Sequence, residues 1–179
     1  MSAQARRVNL DPNSLYLATK PLMHEEFRWV LIHIDSRRTA TCHQWAGVPR
    51  DRQGRETYIH NMLLQNGSSD RMFNDHVLGF FKIGGYTNAV ELEELREICA
   101  SIFPATSHSA EMNRLRGISG RLWVRRVLEK LFEKKFLDGG LDRVQKVEDR
   151  VLARSKICDH SYHSSFLCGV RYEAVVETV

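Results

Sequence analysis

The chain has 179 residues, 42% of them hydrophobic and 27% charged, and its formal net charge is +4. These values are ordinary for one globular domain with a full-sized core. No apolar run reaches the length of a membrane-spanning helix, so we expect no membrane partner. The charge is also too small to indicate nucleic-acid binding by itself.

The beginning of the chain is polar. Residues 1–7 contain two arginines and no apolar stretch of the signal-peptide type, so we expect a cytoplasmic protein. In that compartment the four cysteines are expected to be reduced. We assign residues 1–20 to a flexible N-terminal segment and residues 21–179 to a single domain.

Strand-like composition dominates the first half of that domain. Segments rich in aromatic and β-branched residues are 27–34, 39–45, 56–65 and 76–83. In the second segment the alternation puts His43 and Trp45 on one face and Cys42 on the other. The pattern therefore predicts an antiparallel sheet over this part of the chain.

Helical spacing follows the strands. Apolar residues recur with a helical period over residues 90–102, 123–136 and 142–156. The second of these predicted helices ends before Gly139-Gly140, and residues 166–176 could form a closing strand. Strands first and helices afterwards predict an α+β fold, in which the antiparallel sheet packs against two or three helices.

Residues 117–124 read Gly-Ile-Ser-Gly-Arg-Leu-Trp-Val. This stretch resembles the nucleophile segment of small fungal proteins of the permuted papain-like class, relatives of the NlpC/P60 and LRAT hydrolases. In that pattern an Asn-Cys pair precedes two variable residues and a Trp-Val. Here Ser119 stands at the Asn position and Gly120 at the Cys position. The resemblance implies a papain-like fold whose nucleophilic thiol has been replaced.

The resemblance extends over roughly residues 20–157. Arg28-Trp29 stands where the family begins a strand with His-Trp, and His43 corresponds to the second polar position of the site. Two of the three catalytic positions therefore carry other residues. This implies a pseudoenzyme, and we expect no thiol-dependent hydrolysis.

Two polar residues remain candidates for chemistry. Ser119 could act as a nucleophile with His43 as its base, or it could simply cap the following helix. His43 could be a remnant that contacts a ligand, or a half-buried strand histidine whose ring is satisfied by its neighbours. The sequence leaves both pairs of alternatives open.

A Cys₂His₂ set near the C-terminus is a weak candidate for zinc. It consists of Cys158, His160, His163 and Cys168. Zinc accepts these ligand types, but the spacing matches no standard finger. We therefore expect no bound metal and no other cofactor.

Arginines crowd the start of the helix predicted at 123–136. They are Arg114, Arg116, Arg121, Arg125 and Arg126. They could form an anion site with the helix N-terminus, or a solvated face on which Glu129 and Glu133 pair with them at helical spacing. The second interpretation is the simpler one.

We expect the former cleft to bind a small anionic ligand or a protein partner. Its predicted lining residues are Arg28, His43, Ser119, Gly120 and Arg121. The alternative is an accessory enzyme of a small-molecule, secondary-metabolite pathway, in which His43 moves a proton. A basic nucleic-acid-binding module ranks third, because the chain has no motif for nucleic-acid recognition.

Overall fold

A six-stranded mixed sheet organises the protein, and its helices pack against one face. The structure, a computed structural model, describes residues 8–22, 26–63, 76–87, 89–103 and 109–179. The predicted α+β class is confirmed by this arrangement.

The strands lie in the order β4-β3-β2-β1-β5-β6. Their bounds are Ser14–Pro21 (β1), Phe27–Ile34 (β2), Ala40–Gly47 (β3), Glu56–Leu63 (β4), Gly79–Lys82 (β5) and Val175–Thr178 (β6). Neighbouring strands are antiparallel except β5 and β6, which run parallel. The antiparallel pairing expected over residues 27–83 is confirmed, and the parallel closing strand makes the sheet mixed.

The described helices follow in the second half of the chain. They are Leu92–Ser101 (α1), Ala110–Leu115 (α2), Gly120–Glu133 (α3) and Leu141–Leu167 (α4). Helix α3 buries Trp123, Val127 and Leu131 against the sheet, as its helical spacing predicts. Alternate strand residues, such as Leu31 and Phe81, complete the same apolar cluster.

The opposite face of the sheet carries a second, smaller core. Its buried members include Tyr16, Val30, Ile32 and Phe80, and Val8 and Leu10 pack against them. Both faces of β1 and β2 are therefore buried, which explains why their sequences are nearly continuous apolar runs rather than alternating ones.

The chain ends differ most from the sequence-based expectation. Ser14–Pro21, most of which we assigned to the flexible N-terminal segment, forms a strand between β2 and β5. Helix α4 continues to Leu167, beyond the expected end at 156, so the closing strand is only four residues long. Helix α4 has no glycine or proline before Gly169, and the hydroxyls of Ser161 and Ser164 bond to backbone carbonyls one turn back.

Candidate functional site

Ser119 caps helix α3. Its backbone is extended, and its Oγ accepts a hydrogen bond from the backbone N–H of Leu122 at 3.1 Å. This is the geometry of an N-cap serine. Of the two roles that the sequence left open for Ser119, the structure displays the cap, and no hydrogen bond joins Ser119 to His43 among the described residues.

The first residue of α3 lies against the strand that carries His43. A Cβ added to Gly120 would lie 3.5 Å from the backbone oxygen of Trp45, which is an ordinary van der Waals contact. The helix start therefore docks on β3 two residues from His43. A Cβ at position 120 would fit there without displacing the backbone.

Arg121 is engaged within the protein. Its Nε donates a hydrogen bond to the buried carboxylate of Glu148, and its guanidinium lies 6.0 Å from the ring centroid of Trp29. Nε of Arg125 approaches the same carboxylate at 3.8 Å. Because Glu148 already supplies the opposite charge, Arg121 is poorly placed to bind a second anion.

Arg114, Arg125 and Arg126, near α3, are likewise paired with carboxylates of the protein. Arg114 pairs with Glu56 at 2.8 Å, and Arg126 pairs with Glu129 at 2.8 Å. Arg125 also reaches Glu129, at 3.3 Å. Pairing at helical spacing was predicted with Glu129 and Glu133. The structure shows it for Glu129, whereas Glu133 pairs with Lys130.

Glu56 lies beside the start of α3, where the arginine-rich sequence suggested an anion-binding site. Its carboxylate accepts hydrogen bonds from Trp45 Nε1 at 3.2 Å, from Asn113 Nδ2 at 3.0 Å and from Arg114. Burial by itself would raise the pKa of Glu56, but the hydrogen bonds from Arg114 and Asn113 outweigh burial and lower that pKa. The protein's own carboxylate thus satisfies these donors.

Arg28 lies on the other side of the sheet from His43. It is exposed between the buried side chains of Phe27 and Trp29, and it pairs in register with Lys20. Trp29 belongs to the helix-facing core, so strand alternation turns Arg28 toward the opposite face. The expected convergence of Arg28 with His43 is therefore not found.

His43 lies at the centre of a polar cluster beneath α1. Its side chain is 0% exposed, and its Nδ1 lies 2.8 Å from the hydroxyl of Tyr58. Burial, together with the positive charges that His33, His60 and Arg96 can carry, lowers the pKa of His43 to about 3. The imidazole is therefore neutral at physiological pH.

Tyr58 links His43 to the helices. Its ring stacks on Trp123 of α3 with centroids 5.7 Å apart, and Cys99 of α1 lies beside its hydroxyl. Burial raises the pKa of the Tyr58 hydroxyl and that of the Cys99 thiol. Both groups are therefore protonated near neutral pH, and Cys99 is not a nucleophile there.

Two buried nitrogens in this cluster have no hydrogen-bond partner among the described residues. They are Nε2 of His43 and Nε of Arg96. Arg96 lies on α1, and its Nη1 pairs with the exposed carboxylate of Glu93 at 2.5 Å. Its positive charge acts to lower the pKa of both His43 and Tyr58. Buried polar nitrogens are nearly always paired in proteins, so these two mark a place where a hydrogen-bond partner is missing among the described residues.

The sequence analysis missed Arg96 and Tyr58. Arg96 is four residues after Leu92 and three before Cys99, which puts an arginine within the apolar stripe of α1. Tyr58 alternates with Glu56 and His60 on one face of β4. Both features are visible in the sequence, but neither could be linked to His43 without knowing that β3 pairs with β4.

The weak zinc set is not brought together. All of its members lie on α4 or at its C-cap, where Cys158 is buried while His160 and Cys168 are exposed. His163 instead lies 3.4 Å from Asp159. Within the described part of the chain, no group of three or more His, Cys, Asp or Glu could hold a metal ion.

None of the described helices is both long enough and apolar enough to span a bilayer. No protein-family model, no curated protein and no solved structure matches the chain.

Proposed function

We propose that this chain is a catalytically degenerate binding domain, and that it binds a small acidic ligand through His43 and Arg96. The observation that carries this proposal is the pair of buried nitrogens, His43 Nε2 and Arg96 Nε, without an acceptor among the described residues. A carboxylate supplies acceptor oxygens to both at once. It also brings a negative charge to the buried side of the Arg96 guanidinium, whereas Glu93 pairs with it at the surface.

The hydrogen bond with Tyr58 determines which ring nitrogen of His43 carries the proton. The Tyr58 hydroxyl stays protonated because burial raises its pKa, so it is able to donate to Nδ1 of the neutral imidazole. If Tyr58 donates to Nδ1, the proton of the ring resides on Nε2. His43 Nε2–H and Arg96 Nε–H are then two donors in one site, which is the pattern that recognises an anion.

The ligand would approach from the β4 side of the sheet. His60, directly opposite His43 in the β3–β4 pairing, is exposed, and Tyr58 is half-buried. The side chain of Arg96 is 25% exposed, so part of it is in contact with solvent. The proposed site is thus buried at His43 and borders the exposed His60.

Thiol hydrolysis is disfavoured by the described cysteines near the sheet. Burial strongly raises the pKa of Cys42 and of Cys99, and position 120 has no side chain. Catalysis by His43 as a general base near neutral pH is disfavoured as well, because its pKa lies at about 3. These observations favour binding over the alternative of an accessory enzyme.

A degenerate papain-like ancestry remains part of this proposal. It is supported by the α+β order and by the docking of the α3 start on β3 next to His43. Gly120 at the nucleophile position of the papain-like pattern agrees with a loss of hydrolysis, whereas Arg28 lies on the other face of the sheet and does not bear on it. A nucleic-acid module is less well supported, because glutamates pair with the arginines around α3.

Acetate is a suitable minimal probe, with acetamide as its neutral counterpart at constant ionic strength. We expect acetate to shift the His43 side-chain NMR signals with a Kd in the millimolar range, and acetamide to shift them far less. Arg96→Gln should abolish this response, and Arg96→Lys should weaken it because lysine keeps the charge but lacks Nε–H.

Arg126→Gln is the matched control, since Arg126 is also a helix arginine paired with a nearby glutamate. It should leave acetate binding unchanged. Circular dichroism would verify that each variant is folded. Equal responses to acetate and acetamide, or an unchanged response in folded Arg96→Gln, would contradict the proposed carboxylate site.

A further inference from the structure

A second cavity lies at the C-terminal end of α4, away from His43. Its volume is about 210 Å³. The lining residues that matter here are His76, Tyr162, Phe166, Val170, Arg171 and Tyr172. None of them contributes to the cluster around His43, so this cavity stands independently of the function proposed above.

Hydrogen bonds fix the inner wall of the cavity. The Tyr172 hydroxyl donates to the backbone oxygen of Leu78 at 2.7 Å, and its ring meets that of Tyr162 edge-on, with centroids 5.4 Å apart. The Tyr162 hydroxyl is in turn hydrogen-bonded to Nδ1 of His76. Two aromatic rings are thus held in place before any ligand arrives, which lowers the entropic cost of binding.

His76 adopts an unusual backbone conformation at this wall. Its φ is +67°, in the left-handed region that residues other than glycine rarely adopt. Strained backbone of this kind is found preferentially at functional sites. Here the conformation accompanies the hydrogen bond between His76 and Tyr162.

The mouth of the cavity exposes large apolar side chains. Phe166 is 74% exposed and Val170 is 62% exposed, although both contribute to the lining. An apolar ligand group seated between them and the tyrosines would remove this surface from water. The lining therefore favours a ligand with a ring.

Positive charge stands beside the apolar lining. Arg171 is exposed and lines the cavity, and no carboxylate among the described residues pairs with it. His76 adds a second nitrogen-bearing side chain on the same cavity. A ligand that fits both features has an apolar ring and an anionic group.

We propose that this cavity binds a single-ring aromatic carboxylate. A cavity of about 150 Å³ is known to accept benzene, so about 210 Å³ accommodates one ring with a short acidic side chain. The ring lies against Tyr162 and Phe166. The carboxylate faces Arg171.

Phenylacetate is the probe, and phenylacetamide and acetate are its controls. In NMR titrations of the full chain, phenylacetate should shift the Tyr162 and Tyr172 ring signals with a Kd of roughly 1 mM. Phenylacetamide should bind about two- to fivefold more weakly, because it lacks the charge that an exposed arginine can pair with. Acetate, which has no ring, should leave the tyrosine signals unchanged.

A matched control variant is available for the ring of the ligand and for its carboxylate. Phe166→Ala should weaken phenylacetate binding about tenfold, while Leu167→Ala, which removes an exposed residue outside the lining, should not. Arg171→Gln should cost about two- to fivefold, and Arg150→Gln, on α4 but outside the lining, should cost nothing. All four positions are exposed, so these variants are expected to fold.

Arg96→Gln separates this site from the one proposed at His43. It should abolish the acetate response there and leave phenylacetate binding at Tyr162 unchanged. The proposal is overturned if phenylacetate does not shift the Tyr162 and Tyr172 signals at about 20 mM. It is also overturned if Phe166→Ala and Leu167→Ala have equal effects on binding.

Discussion

The hydroxyl of Tyr58 lies 2.8 Å from Nδ1 of His43, and the two rings are inclined by only 3°. Tyr58 is directly opposite Trp45 in the β3–β4 pairing, so the hydrogen bond runs diagonally between the two strands. It joins the edge strand β4 to a histidine that is completely buried. This contact engages Nδ1 of the imidazole and leaves Nε2 without a partner among the described residues.

Tyr58→Phe tests the structural value of that contact. The variant keeps the ring that stacks on Trp123 but leaves Nδ1 of His43 without its partner. We expect a loss of about 1–3 kcal/mol in the free energy of unfolding, measured by urea denaturation. His60→Gln, at an exposed position on the same face of β4, should change this quantity by less than about 0.5 kcal/mol.

The depressed pKa of His43 predicts a pH dependence of stability. Its pKa is about 3 in the folded protein and 6.5 as a reference value, so between these values the unfolded chain binds one more proton at this site. Stability should therefore fall as the pH falls below 6.5, with a contribution of up to about 1.4 kcal/mol per pH unit. The pKa of His33 is also lowered by burial and acts in the same direction.

His43→Gln should remove most of the His43 contribution to this slope. Urea denaturation of both proteins at several pH values between about 5 and 7 measures the difference. Parallel slopes in the variant and the wild type would show that His43 is not held neutral by the fold.

Glu56 should contribute more to stability than an exposed ion pair. Glu56→Gln removes a buried charge that receives hydrogen bonds from Trp45, Asn113 and Arg114. We expect a loss of about 2 kcal/mol, toward the low end for buried pairs because Arg114 is half exposed. Glu133→Gln, which breaks an exposed pair with Lys130, should cost less than about 0.5 kcal/mol.

Introducing at positions 28 and 120 the residues of the papain-like pattern should not create a reactive thiol. Gly120→Cys is sterically acceptable, but Arg28→His would place its imidazole on the other face of the sheet. In a Cys168→Ser background, the thiol introduced by Gly120→Cys should therefore show the same pH dependence of alkylation with and without Arg28→His. A lower thiol pKa in the variant that also carries Arg28→His would show that the two positions do meet.

Much of the fold was accessible from local patterns. The alternation in 39–45 and the helical spacing in 123–136 predicted β3 and α3, because one face of each segment, such as that of His43 and Trp45 in β3, is fully buried. β1 was missed because both of its faces are buried, so Leu15, Tyr16 and Leu17 show no alternation. The parallel pairing of β5 with β6 joins residues almost a hundred positions apart, and no local pattern encodes it.

The site was only partly accessible for a similar reason. His43 was identified from the sequence, but its partner Tyr58 depends on the register of β3 with β4, and Arg96 depends on how α1 packs on the sheet. Arg28 was chosen from a resemblance in sequence order. Successive residues of a strand point to opposite faces of the sheet, so a difference of one position is enough to place Arg28 on the face away from His43.

Determining the tautomer of His43 is the most direct test of the proposed carboxylate site. In side-chain ¹⁵N NMR of the full chain near neutral pH, we predict a neutral imidazole with its proton on Nε2 and an unprotonated Nδ1 that accepts from Tyr58. Adding acetate should shift the Nε2–H signal downfield in the wild type but not in Arg96→Gln. A proton on Nδ1, or an Nε2 signal that acetate does not affect, would contradict the central claim that His43 and Arg96 together form a carboxylate site.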